Sequence, residues 1–187
     1  MAEAEVLSVM VFIDAAELLA GLGDAAEGTD LAALPVAMAT ERAAATLSPS
    51  SSRLRYAGAI VYTLPEHAHQ PGDAARAAAV AAMAAAPGVE VRLVPDRALT
   101  MGECRACSLG GTSRCNHCRN VDASPSVFGG PIAEAMALDL FRLGREATFD
   151  VAVIVAAGRG LAPVFRFLEE RGKKVVIGAL PGVSPGA

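Results

Sequence analysis

The chain has 187 residues, enough for one compact domain with its own core and tight for two. Hydrophobic residues make up 53% of it, which excludes a disordered chain, and a net charge of −4 excludes a globally basic nucleic-acid binder while leaving room for a local patch. No apolar run reaches the roughly eighteen residues of a membrane span, and the opening MAEAEVLSV carries acids where a signal peptide carries bases, so the cytoplasm is the expected compartment.

In chain order, VLSVMVFI (6–13) is a nearly continuous apolar run ending at Asp14 and reads as a buried parallel strand. A helix follows from Ala15 to Gly23. Asp30 is suited to cap a second helix running to about Leu47, with Pro35 tolerated near its first turn. The SPSSS stretch at 48–52 is a loop, and AGAIVYTL (57–64) is a second strand. Asp73 opens an alanine-rich helix that stops at Pro87-Gly88, before a third strand, VEVRLV (89–94). Pro131 suits the first turn of a helix reaching about Ala147. Asp150, read as a turn residue, precedes the fourth strand, VAVIVAA. Pro163 begins another helix that ends at Arg171-Gly172, and Lys174 to Ala179 supplies a fifth strand.

Strands alternating with helices predict a single doubly wound α/β domain, a parallel sheet of about five strands with helices on both faces, over residues 1–180. Residues 96–126 form an insertion with little apolar periodicity, and 181–187 a loose tail. Ligands of such sheets bind beyond the carboxyl ends of the strands, where strand order reverses; Asp14 and the loop 157–160 both fall at such ends. No Gly-x-Gly-x-x-Gly follows the first strand, which disfavours a dinucleotide site.

All four cysteines fall in the insertion, as CRACSLGGTSRCNHC: two C-x2-C pairs separated by seven residues. A secreted disulfide scaffold would spread them along the chain. Each pair is able to turn two sulfurs to one point, and Gly110-Gly111 lets the pairs face each other. Cys104, Cys107, Cys115 and Cys118 are therefore expected to form a four-thiolate tetrahedron, with zinc the commoner occupant and iron the alternative. Such a site carries a charge of about −2, which Arg105, Arg114 and Arg119 are placed to neutralise. His117 reads as a surface residue. His67 and His69, next to Glu66, share a spacing that admits a metal but have no further ligand nearby in sequence.

Three stretches resemble the NYN branch of the PIN-like nucleases. VMVFIDAAELLAGL resembles that family's first strand, Asp and helix. GPIAEAMALDLFRLGREATFD resembles its helix that begins Lys-Gly-Val-Asp and continues to a later Leu-Asp. FDVAVIVAAGRGLAPVFRFLEERGKKVVI resembles its strand, Ser-Gly-Asp-Gly-Asp-Phe loop, helix and final strand. Some relatives also carry paired cysteines before the middle stretch. The resemblance implies metal-dependent hydrolysis of RNA, with carboxylates holding Mg²⁺ or Mn²⁺ that activates water. The acids it assigns are Asp14, Glu17 (where the family has Asn), Glu134 and Asp139. Ala133 replaces a family Asp, with Glu134 beside it about 100° around the helix. Gly158 and Gly160 stand where the family has two acids, with Arg159 between them.

Each acid also has a plainer reading. Asp14 suits a helix cap, Glu134 a helix N-terminus, and Asp139 a helix surface. A fixed cation at Arg159 lowers affinity for a divalent metal, so an impaired or inactive nuclease is expected. Gly158, Arg159 and Gly160 together suit an anion, since small residues expose N–H groups at a helix start and Arg adds a planar fork. Three functions follow: an impaired nuclease domain that binds RNA or an anionic ligand, an active divalent-metal ribonuclease, and an adaptor acting through a protein partner or a second copy. Basic residues gather along Arg142, Arg145, Arg159 and Arg166, a modest feature for RNA that ordinary helix surfaces also carry, while eight aromatic residues without Trp give no evident stacking platform.

Overall fold

The computed structural model describes residues 5–46, 52–65, 73–94, 128, 130–156 and 158–178. Five strands, β1 (Glu5–Asp14), β2 (Ser52–Thr63), β3 (Val89–Leu93), β4 (Val151–Val155) and β5 (Lys174–Ile177), form one parallel sheet in the order β3-β2-β1-β4-β5. The α/β sheet read from the sequence is the one observed. Its middle is apolar on both faces: every residue of β4 is buried, and Val11, Phe12 and Ile13 of β1 are inaccessible. That is why these strands lack polar alternation.

Helices cover both faces. One layer comprises α1 (Ala15–Leu22), α2 (Leu34–Ala37), a π turn (Met38–Arg42), α3 (Ala43–Thr46) and α4 (Asp73–Ala84). It packs Leu18, Leu22, Met38, Ala43 and Met83 onto Val9, Val11, Ile13 and Val153. The other comprises α5 (Pro131–Arg145) and α6 (Ala162–Glu170), which set Met136, Leu140, Val164 and Leu168 against Phe12, Ile60 and Ile154. Burying one such side chain contributes roughly 1.5–3 kcal/mol. Phe149 meets Phe12 edge to face, with ring centroids 5.7 Å apart, at the end of α5's return to the sheet. Among the described residues no helix is long and apolar enough to cross a membrane.

Two elements differ from the sequence reading. β2 begins at Ser52, not Ala57, because the arginine-bearing segment pairs with Glu5–Val9 along the open end of β1. Arg55 donates to Ser8 Oγ across that ladder at 3.0 Å. One residue, Ala57, is extra: Val9 pairs with Tyr56 and Met10 with Gly58, so the strand bulges there. Gly58 has φ +148, and a Cβ on it would lie 2.9 Å from the Gly88 carbonyl oxygen.

The second helix is also broken up. Asp30 Oδ1 accepts from the N–H groups of Ala32 and Ala33 at 3.1 and 3.2 Å, but it caps only a turn, and the helical run starts at Leu34. Inside the π turn the Thr40 hydroxyl donates to the Val36 carbonyl at 3.0 Å, a side-chain bond that competes with the helical ladder.

Asp150 does more than turn the chain. Its Oδ2 accepts from Ser8 N–H at 2.9 Å, its own N–H donates to the Ser8 carbonyl at 2.8 Å, and Lys173 Nζ lies 3.4 Å from Oδ1. It therefore fastens β1 to the start of β4 and to the approach of β5.

Candidate functional site

Strand order reverses between β1 and β4: the chain builds outward through β2 and β3, then crosses back through α5 to β4. A cleft of about 270 Å³ lies beyond the carboxyl ends of these two strands, where doubly wound sheets bind ligands. Asp14 and Glu17 line one side. Leu64, Phe128 and Ala156 line it as well, and the first turn of α5, Gly130 to Ala133, closes another side together with Gly160.

Asp14 is the last residue of β1 and the N-cap of α1. Its Oδ1 accepts from Ala16 N–H at 2.9 Å and Glu17 N–H at 3.3 Å. Burial pushes its carboxyl above the ordinary value, the two backbone bonds pull it back, Glu17 raises it further, and Arg76 lowers it. The capping role and the cleft position thus coincide in one side chain. Glu17, three residues on, is exposed and in the first turn of α1, where the helix dipole favours an acid.

Asp139 is held elsewhere. It sits in mid-α5, 6% exposed, and accepts from the Tyr62 hydroxyl at 2.8 Å. Arg92 forms an ion pair with the same oxygen, Oδ2, and Arg142 Nη2 lies 3.5 Å from Oδ1. Tyr62 pairs in register with Arg92, so β2 and β3 present both partners side by side beneath α5. Burial, then the charge of Asp139, drives the Tyr62 hydroxyl far above its ordinary pKa. For Arg92 burial opposes the charge, but bonds to Glu90 (2.8 Å) and Asp139 outweigh it and raise the guanidinium above its usual value.

Of the four expected acids, the cleft brings together Asp14 and Glu17. Glu134 stands in the first turn of α5, one residue beyond the cleft-lining Ala133. Gly158 opens the short 3-10 turn before α6, and Gly160 lines the cleft. A Cβ on Gly160 would overlap the backbone of Phe128, so the smallness of this residue is accounted for by packing. The side chain of Arg159 lies outside the described residues, as do Cys104, Cys107, Cys115, Cys118, the neighbouring arginines and His67 and His69. Arg145 and Arg166 are exposed. A wider hollow of about 490 Å³, lined by Leu138, Phe141, Arg142 and Arg145, lies along the second half of α5, away from the strand ends.

The sequence reading missed Tyr62, Arg92, Leu64 and Phe128. Tyr62 and Arg92 lie near the carboxyl ends of their strands, a weak signal. Phe128 has no periodicity to mark it. Two carboxylates suit a hard divalent cation that keeps most of its waters and takes the rest of its ligands from a phosphate. Among the described residues no group of three or more His, Cys, Asp or Glu side chains is disposed to hold a metal. For zinc, the donor chemistry of the four cysteines is what fits. Comparison with family models, with curated proteins and with solved structures gives no match.

Proposed function

We propose that this protein is a cytoplasmic PIN-like domain of the NYN type that binds RNA at the β1/β4 cleft and cuts it weakly or not at all, with structural zinc on Cys104, Cys107, Cys115 and Cys118. The observation that carries the reading is the commitment of Asp139. Its carboxylate is taken up by Tyr62, Arg92 and Arg142, which removes it from the acids that would hold a catalytic metal. Asp14 and Glu17 remain at the cleft, and Ala133 stands where the resembled family has an acid. In that family's chemistry a divalent metal supplies the activated water. Here two carboxylates would hold it less firmly than a full cluster, since affinity follows ligand number and charge.

The test is incubation of a labelled structured RNA with Mn²⁺ or Mg²⁺, with Asp14→Asn in parallel and binding measured on the same RNA. The expected result is binding without appreciable cleavage. Cleavage abolished by Asp14→Asn would instead establish the active ribonuclease, a reading the cleft position of Asp14 and Glu17 favours. Neither binding nor cleavage by the folded protein would sink both and leave the adaptor role.

A further inference from the structure

We infer that the outward face of α5 is a homodimer interface, on which two copies of this chain pack their α5 helices antiparallel about a two-fold axis. This goes beyond the RNA reading and does not depend on it. Four side chains carry the argument. Glu134, Leu138, Phe141 and Arg145 follow one another at spacings of four, three and four residues, and so fall in one stripe along the helix. The core side of α5 lies opposite, with Ile132, Met136, Leu140 and Leu143 packed into the interior. Glu134 is about 100° around the helix from the cleft-lining Ala133, and Arg142 is turned aside to Asp139.

The stripe has an acid at its amino end, a base at its carboxyl end and two apolar residues between. Its spacing reads the same in both directions. Laid antiparallel on a second copy, with the axis between Leu138 and Phe141, it sets Glu134 against the other copy's Arg145 and Leu138 against the other copy's Phe141, twice over. A two-fold interface requires this, since one patch must complement itself. Charges flanking an apolar seam set orientation and partner choice between paired helices, and antiparallel packing lays opposed helix dipoles side by side. RNA, by contrast, would meet an acid at one end of the stripe.

The centre of the stripe is exposed and firmly held. Leu138 is 63% exposed. Phe141 is half-buried, its ring braced edge to face by Phe167 of α6 at 4.8 Å between centroids, with the Arg171 guanidinium 4.5 Å over Phe167. A ring already fixed loses little freedom when a partner covers it. The hollow of about 490 Å³ opens on Leu138, Phe141 and Arg145, leaving room for the second copy's side chains. The dipole favours an acid in the first turn and a base in the last of any helix. It gives no reason for Leu138 and Phe141 to stand between them at the spacing that a second copy matches. Glu134 also interacts within its own chain, and a carboxylate has acceptor sites enough to keep that contact while receiving a guanidinium. One helix pair is small beside the roughly 1,200–2,000 Å² of standard interfaces, so the dimer is expected to form weakly and with concentration.

Sedimentation velocity of the full chain over a wide concentration range tests the pairing. The wild type is expected to pass from monomer to dimer as concentration rises. Leu138→Asp should raise the dissociation constant about tenfold or more, the effect of losing one interface anchor. Glu134→Arg puts cations at both ends of the stripe, and Arg145→Glu puts acids at both. Each of these variants alone should stay monomeric where the wild type pairs. An equal mixture of the two should form a heterodimer, because every end then meets the opposite charge. Far-ultraviolet spectra matching the wild type show that the variants are folded. A wild type that is monomeric throughout overturns the inference, as does a dimer indifferent to all three substitutions. A mixture that stays monomeric overturns the antiparallel pairing. A monomeric wild type whose affinity for RNA falls in Leu138→Asp and Arg145→Glu gives this face to RNA instead.

Discussion

The Tyr62 hydroxyl, at the carboxyl end of β2, donates a 2.8 Å hydrogen bond to Asp139 on α5, 77 positions away in the chain. With Arg92 on β3 it converts a buried carboxylate into a fastening between helix and sheet. Tyr62→Phe removes the shortest neutral donor while leaving the ring volume in place. It is expected to lower stability by about 1.5–3 kcal/mol, the value of a hydrogen bond to a charged group. Asp139→Asn should cost less than Asp139→Ala, because the amide still accepts from Tyr62. Urea unfolding of the three variants checks the order, and an unchanged midpoint for Tyr62→Phe would deny the hydroxyl its role.

Close approaches elsewhere give a second contrast. A Cβ on Gly160 overlaps the Phe128 backbone, which has no way to rotate aside, whereas one on Gly144 overlaps Leu168 Cδ2, the far end of a flexible side chain. Gly160→Ala is expected to destabilise by about 1–3 kcal/mol and to disturb the cleft. Gly144→Ala gains roughly 0.8–1 kcal/mol of helix propensity that offsets part of its crowding. Thermal melts should rank Gly160→Ala below Gly144→Ala, and the reverse order would mean that the Phe128 segment yields easily.

Stability should also depend on pH through Asp14. Its carboxyl is raised by burial above the ordinary 3.8, so the folded state holds that proton more tightly than the unfolded state. Below 3.8 both states are protonated and the group is neutral in the balance. As pH rises from there through the raised value, ionisation costs the folded state stability. Asp14→Asn keeps the cap without the charge, so the difference between variant and wild type should shift toward the variant over that rise. Melts from about pH 3 to about pH 7 measure it, and a shift toward wild type would contradict the direction.

Cysteine substitution tests the proposed zinc. Cys104→Ala with Cys107→Ala should abolish zinc retention through gel filtration, measured by elemental analysis, since two thiolates do not hold a structural site. A far-ultraviolet spectrum close to wild type is expected, because the five strands and the helices packed on them carry a core of their own among the described residues. Iron in place of zinc in the wild-type protein would correct the metal while keeping the ligands.

Much of the sheet was legible because its central strands are apolar on both faces, and a run such as VAVIVAA has few other uses in a chain of this kind. Asp14 was legible for a similar reason: an acid that ends a buried strand and begins a helix stands where ligands bind. Asp139 was not. Its neighbours Ala137, Leu138 and Leu140 are apolar, so periodicity left its direction open, and its partners come from two strands far away in sequence. The start of β2 escaped because an arginine-bearing edge reads as a loop until its partner strand is known. Thr40 gave no warning of the π turn, since Thr is tolerated in helices of ordinary pitch.

The extra residue in β2 decides more than the local bend. Before it, Leu54 and Tyr56 face the layer of α1 and α4; after it, Ala59 and Val61 face that layer, while Ile60 and Tyr62 face α5. Even-numbered side chains change sides at Ala57. Were Ala57 to take an ordinary place in the ladder and the bulge be lost, simple alternation would turn Tyr62 toward the wrong layer and Val61 toward Asp139. Both the anchoring of α5 and the shape of the opening above β1 would be lost. The parity of a single strand is therefore a switch thrown once, at folding, on which the whole carboxyl end of the sheet depends.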